Sequence, residues 1–128
     1  MPIVANAEAP EIPWRPGYRT FTLAGSEQGL ACVASYSVVE PGAGAPLHVH
    51  EKVDEIFIVL EGTIEFRFGE ERRLVGANHT IAIPAGTPHG FVAVGPTPAR
   101  FYAFLPQLGA ISAATYLEGV APAGADRH

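Results

Sequence analysis

Residues 42–62 read GAGAPLHVHEKVDEIFIVLEG, and the spacing inside this stretch decides the fold. It opens on glycines and a proline, passes through His48 and His50, and enters an apolar run behind Glu55. In an extended strand successive side chains point to opposite faces, so residues two apart share one face. His48 and His50 therefore place two imidazoles side by side. A second segment, IPAGTPH, ends at His89. Together His48, His50, Glu55 and His89 supply a nitrogen–oxygen donor set of the kind that suits a divalent transition metal. Asp54 precedes Glu55 and should face the other way, toward solvent or into the loop with Lys52.

The same residues resemble the first motif of the cupin superfamily. Gly42, His48, His50, Glu55 and Gly62 reproduce the pattern G-x5-H-x-H-x4-E-x6-G without a gap. Pro84, Gly86 and His89 are similar to the core of the second motif, P-x-G-x2-H. The resemblance spans about residues 42–94 and departs from the family at two places. Asn78-His79 stands where cupins carry Gly-Asp, and Ala93 where an Asn follows the last His. The resemblance implies an all-β double-stranded β-helix, the jelly-roll barrel, of the small quercetinase-like kind. It further implies that His48, His50, Glu55 and His89 hold the metal, with iron(II) first and manganese, nickel, copper or zinc as alternatives.

Composition agrees with one globular domain. In 128 residues, 48% are hydrophobic and 16% charged, which excludes disorder as the main state. Eight Lys and Arg stand against thirteen Asp and Glu, a formal net charge of −5 with no basic run. That balance argues against nucleic acid or an anionic membrane as partner. No apolar stretch approaches the roughly 20 residues of a membrane span. The N-terminus lacks a positive region followed by a hydrophobic run. The single cysteine, Cys32, sits among small and apolar residues, is expected to fill the core, and fits a reducing, cytoplasmic setting. Residues 1–128 are read as one domain, with an arm over 1–19, a barrel core over 30–106, and a helix and tail over 107–128.

Fourteen glycines and twelve prolines divide the chain into short segments, as a succession of antiparallel strands requires. Strands are expected over Thr20–Ala24, Leu30–Glu40, Leu47–His50, Glu55–Glu61, Thr63–Phe68, Arg72–Val75, Thr80–Ile83, Gly90–Val94 and Arg100–Leu105. In TIEFRF, Ile64, Phe66 and Phe68 face one way and Glu65 and Arg67 the other. EIFIVLEG is apolar on both faces, so its outer face needs a cover, either the N-terminal arm or a second copy. A homodimer is expected on this ground. QLGAISAATYLEG, over Gln107–Gly119, lacks alternation and reads as a short helix packed through Leu108, Ile111, Thr115 and Leu117.

The aromatic residues Tyr36, Phe57, Phe66, Phe91, Tyr102 and Phe104 are candidates to line the barrel interior. Tyr36 and Tyr102 carry hydroxyls that need partners when buried, and a substrate can be one. With Glu55 they form the expected catalytic set. The prolines and Gly86 of PAGTPH make a stiff turn that presents His89 in one direction. His79 reads as a surface or turn histidine, and His128 as part of the tail. Lys52 and Arg100 are single charges, with no basic cluster to hold phosphate. The set of expectations is a metal-dependent dioxygenase-type oxidoreductase acting on a small carbonyl, enol or aromatic compound. A redox-neutral isomerase, lyase or cyclase, or a non-catalytic metal or small-molecule binding cupin, remains the alternative.

Overall fold

The computed structural model describes residues 2–107 and 114–124. Among these residues eleven strands make two antiparallel sheets. They are β1 (Glu11–Arg15), β2 (Tyr18–Ala24), β3 (Val33–Val39), β4 (Gly44–Val49), β5 (Glu55–Glu61), β6 (Thr63–Phe68), β7 (Glu71–Val75), β8 (His79–Ile83), β9 (His89–Val94), β10 (Ala99–Leu105) and β11 (Thr115–Tyr116). One sheet has the order β1-β2-β3-β10-β5-β8 and the other β11-β4-β9-β6-β7. Neighbours such as β3 and β10, or β4 and β9, are distant in sequence, which is the crossed connectivity of a jelly roll.

Each inner face follows the period of two. On β6, Ile64 and Phe66 point inward and are fully buried. On β5, Glu55, Phe57 and Val59 point inward, and on β9 His89, Phe91 and Ala93 do so. Phe57 stacks on Phe101 at 4.6 Å, and Phe91 meets Phe101 edge-on at 5.5 Å. The first contact lies within the six-stranded sheet, and the second joins the two sheets over an apolar core. At one barrel end the apolar lining gives way to His48, His50, Glu55 and His89.

The turns explain several departures from an even pattern. Gly62, between β5 and β6, has φ +78°, and a Cβ there would lie 2.6 Å from the Pro98 carbonyl oxygen. Asn78 takes φ 63° ahead of β8. Asn tolerates this left-handed conformation better than most side chains. It therefore makes the turn at the position where the cupin pattern carries glycine.

Three expectations are corrected. Tyr36, Tyr102 and Phe104 do not face the interior. Ser35 and Ser37 occupy the inward positions of β3, which places Tyr36 outside, and Phe101 and Ala103 do the same to Tyr102 and Phe104 on β10. Parity along the strand, fixed by pairing Tyr102 with Tyr36, overrides residue size. The Tyr36 hydroxyl finds its partner on that outer face, accepting from Arg100 at 2.7 Å. Second, the N-terminal arm is not a cover for β5: residues 11–15 form an edge strand beside β2, hidden in the sequence by Pro10 and Pro13. Ile56 and Ile58 consequently stay 37% and 43% exposed. Third, the helix expected over Gln107–Gly119 lies partly outside the described residues. Within them, Thr115 and Tyr116 pair with β4 as a strand, and neither Gln107 nor residues 117–119 are helical.

Phe101 is fully buried between the sheets, so Phe101→Ala is expected to cost about 3–5 kcal/mol of stability. Urea unfolding followed by circular dichroism checks this, and a loss below about 1 kcal/mol would contradict the packing described.

Candidate metal centre

The four expected ligands converge at one end of the barrel. His48 lies near the end of β4 and His50 just past it, Glu55 opens β5, and His89 opens β9. His48 and His89 are direct cross-strand partners. Ligand atoms from all four residues lie within 4.8 Å of one another, and all four side chains are buried. An ion bound about 2.0–2.2 Å from each donor needs donor separations no greater than about 4.4 Å. The 4.8 Å span of the present atoms is close to that limit.

Hydrogen bonds around the cluster fix the donor atoms. His48 Nδ1 lies 2.8 Å from the Pro46 carbonyl oxygen, and His89 Nδ1 lies 2.8 Å from that of Thr87. A carbonyl only accepts, so each Nδ1 carries the proton and donates it. The lone pair of each Nε2 is then left free for a ligand. His89 Nε2 and His50 Nε2 lie 3.2 Å and 3.5 Å from Glu55 Oε1. The turn before His89 is fastened as well. Asp54 accepts from the Ala85 amide at 2.9 Å, and the Gly86 amide donates to the His50 carbonyl at 2.8 Å. Asp54 thus shapes the loop that delivers a ligand, and its partner is that loop's backbone. Gly86 has the positive φ, +79°, that this turn demands.

The electrostatics fit metal ligation. Burial lowers the His48 pKa to about 4, reinforced by the neighbouring His89 and opposed by the Pro46 carbonyl. Burial alone would raise that of Glu55, but the His50 and His89 rings beside it outweigh burial and hold the carboxyl at about 2. At neutral pH the cluster therefore presents an unprotonated His48 and an ionised Glu55, the forms that coordinate a cation. The donors contain no thiolate, unlike most closed structural zinc sites.

A small cavity of about 30 Å³ adjoins the cluster. Its wall is Tyr18, Phe57 and Phe91, beside His48 and Glu55. Its ceiling is Trp14 and Arg15 from β1, with Tyr116 and Pro122 from the C-terminal segment. Tyr116 stacks on the His48 ring at 4.9 Å and 19°, and the Arg15 guanidinium lies 5.3 Å from the centre of the Tyr116 ring. The segment is held by the Leu117 and Glu118 amides on the Leu47 carbonyl, by Arg67–Glu118 at 2.9 Å, and by Arg15 on the Val120 carbonyl. Tyr36 and Tyr102 lie across the sheet from this cavity and do not contribute to it. His79 is exposed at the start of β8 and bonds locally to Ala77, away from the cluster. Cys32 is half-buried and has no place among the ligands.

Trp14, Arg15, Tyr18 and Tyr116 are the residues that the sequence reading missed. Prolines hid β1, and Tyr116 fell in a segment read as helix. The one available signal was the alternation of Tyr18 and Thr20 with Arg19 at the head of β2.

The two shifts predict acid sensitivity of the metal-free protein. His48 and Glu55 both have folded-state pKa values below their ordinary 6.5 and 4.5. Each binds fewer protons folded than unfolded, so stability increases with pH. For His48 no penalty exists above pH 6.5, and one grows as pH falls toward 4. The contribution of Glu55 is complete above pH 4.5 and is lost toward pH 2. Chelator-treated protein is expected to melt at steadily lower temperature between pH 7 and 4, followed by circular dichroism; a Tm independent of pH over that range would contradict the assignment.

Known proteins give an independent view of the same residues. A family model described as a cupin domain matches residues 35–105. Quercetin 2,3-dioxygenase of Bacillus subtilis (strain 168) is 42% identical over 50 residues, which cover 39% of this chain and 15% of that protein. The chain spans 13–15% of the length of the curated relatives it matches. Among solved structures, KdgF from Halomonas sp. superposes with a TM-score of 0.71 at 25% identity, covering 83% of this chain and 95% of that one. The polyketide cyclase RemF of Streptomyces resistomycificus superposes with a TM-score of 0.78 at 22% identity, covering 99% and 91%. The family match takes in all four clustered residues and most of both sheets, and the chain belongs to the cupin-domain family.

Proposed function

We propose that this chain is a metal-dependent enzyme of the dioxygenase type, acting on a small enolisable carbonyl or aromatic compound. The observation that carries the reading is the buried cluster of His48, His50, Glu55 and His89 beside an aromatic-lined cavity. The local likeness to quercetin 2,3-dioxygenase supports it. When bound, the metal supplies Lewis acidity and, if it is redox-active, a route for electrons to dioxygen. The protein's own groups do the rest. Glu55 is ionised at neutral pH and, on shifting off the metal, is the base for an acidic O–H proton of the substrate. Phe57 and Phe91 exclude water from the reacting atoms and offer flat faces to an aromatic or conjugated ligand.

A redox-neutral proton transfer is the second reading. It is favoured by Tyr18, a hydroxyl donor on the same wall as Glu55. Oxygen uptake separates the two. Protein reconstituted in turn with iron(II), manganese, nickel, copper or zinc is offered flavonols and β-diketones in an oxygen-electrode cell. Substrate-dependent oxygen consumption with a redox-active metal is expected. Product formed without oxygen uptake would replace the first reading by the second, and no turnover with any metal would leave a binding protein.

Two copies are proposed to pack through the outer face of the six-stranded sheet. Ile56, Ile58 and Phe104 form an apolar strip there, flanked by Tyr36 and Tyr102. A second copy buries that strip from water. Wild type is expected to sediment as a dimer and Ile58→Glu as a monomer; a wild-type monomer at micromolar concentration would refute the pairing.

Among the described residues no helix is long and apolar enough to cross a membrane.

A further inference from the structure

Among the described residues, and apart from the candidate ligands, the side chains with hydrogen-bonding groups that line the cavity are Trp14, Arg15, Tyr18 and Tyr116. Arg15 and Tyr116 are engaged with each other in the ceiling, and Arg15 also donates to the Val120 carbonyl. Tyr18 differs. It stands on the inner wall, held edge-on by Trp14, Phe91 and Phe101 at ring distances of 6.2, 5.6 and 6.2 Å.

The Tyr18 hydroxyl meets the side chains of Trp14 and Ser37. An indole N–H can only donate, so the Tyr18 oxygen accepts from Trp14 and keeps its own proton to give. Ser37 donates to Thr20 Oγ1 at 3.0 Å, which leaves the Ser37 oxygen free to take that proton when nothing better is present. Tyr18, Ser37 and Thr20 are all buried. Three hydroxyls in a row inside a barrel packed with Phe, Ile and Val are not explained by packing, because burying a hydroxyl costs free energy that an apolar side chain avoids. The row ends at the cavity, on the side of Glu55. Burial and the nearby Glu55 carboxylate push the Tyr18 pKa upward, so this group is a neutral donor throughout the physiological range.

A neutral donor fixed in a water-poor wall discriminates by acceptor charge. Its bond to an anionic oxygen is about twice as strong as that to a neutral one. We propose that Tyr18 donates a hydrogen bond to an anionic oxygen, that of an enolate or phenolate, in the compound bound over the His48–His50–Glu55–His89 cluster. The inference deepens the metal-enzyme reading and rests on it. A ligand of that size also requires the Tyr116 segment to withdraw, since the cavity holds only about 30 Å³. That movement leaves Tyr18 in place, because it belongs to β2.

The test uses cobalt(II)-loaded protein and 4-nitrocatechol, whose absorption reports its ionised, metal-bound form. Wild type, Tyr18→Phe and Ser37→Ala are compared at matched cobalt per chain, with imidazole as a neutral nitrogen ligand for control. Tyr18→Phe is expected to bind nitrocatechol roughly tenfold or more weakly, with cobalt content and imidazole affinity unchanged. Ser37→Ala, which removes the acceptor that competes for the Tyr18 proton in the empty site, is expected to tighten nitrocatechol about two- to threefold. Equal nitrocatechol affinity in wild type and Tyr18→Phe would overturn the assignment and leave the metal-enzyme reading standing. Wild type that takes up no cobalt would overturn both. Should Tyr18→Phe fail to fold, Ser37→Ala decides, and an unchanged affinity there overturns the assignment.

Discussion

Two backbone carbonyls, those of Pro46 and Thr87, set the direction of the centre. Each accepts the Nδ1 proton of a histidine two residues further on, at 2.8 Å. Those bonds turn the Nε2 atoms of His48 and His89 inward toward Glu55 and His50. Remove them and the rings are free to rotate, and burying several imidazoles together has no return. The rest of the barrel keeps those two carbonyls in place. The β4–β9 pairing puts His48 opposite His89, and Asp54 with the His50 carbonyl pins the turn that leads into β9. The ligand geometry is therefore a property of backbone hydrogen bonding, which is the stiffest part of a β-fold.

The cluster is held apart from solvent by two different kinds of cover. Below it lies the aromatic core, where Phe57, Phe91 and Phe101 pack at 4.6–5.6 Å. Above it lies a single segment, with Tyr116 on His48 and a few polar fasteners, of which the Arg67–Glu118 pair is partly exposed. Exposed ion pairs contribute little, about 0–1 kcal/mol. The two covers thus differ in strength: the floor is part of the fold, and the ceiling is attached to it. A buried centre that excludes water and still admits a ligand needs that asymmetry.

Much of this was legible in the sequence because its signals were local. The spacing of His48, His50 and Glu55 on adjoining strand ends, and the proline-glycine turn before His89, both survive translation into three dimensions. Strand parity was legible only where polar and apolar residues alternate, as in TIEFRF. It was not legible in β3, where serine faces in and tyrosine faces out, because the inner serine belongs to a polar row that no hydrophobic pattern announces, nor in β10, where both faces carry aromatic residues. Tyr18 and Tyr116 were invisible for a different reason. Each reaches the cavity through pairing partners, Val39 for Tyr18 and His48 for Tyr116, that are distant in sequence. Asn78 shows the reverse case, in which a departure from the cupin pattern proves neutral because asparagine adopts the turn conformation that glycine would.

The central claim is that four buried side chains hold one metal ion. The most direct measurement is metal per chain by mass spectrometry, on untagged wild type and His89→Ala purified without chelator and again after reconstitution. The account predicts close to one transition-metal ion per wild-type chain and a loss of most of it in His89→Ala. Wild type that stays metal-free after reconstitution, or a His89→Ala variant that retains the wild-type stoichiometry, would contradict it.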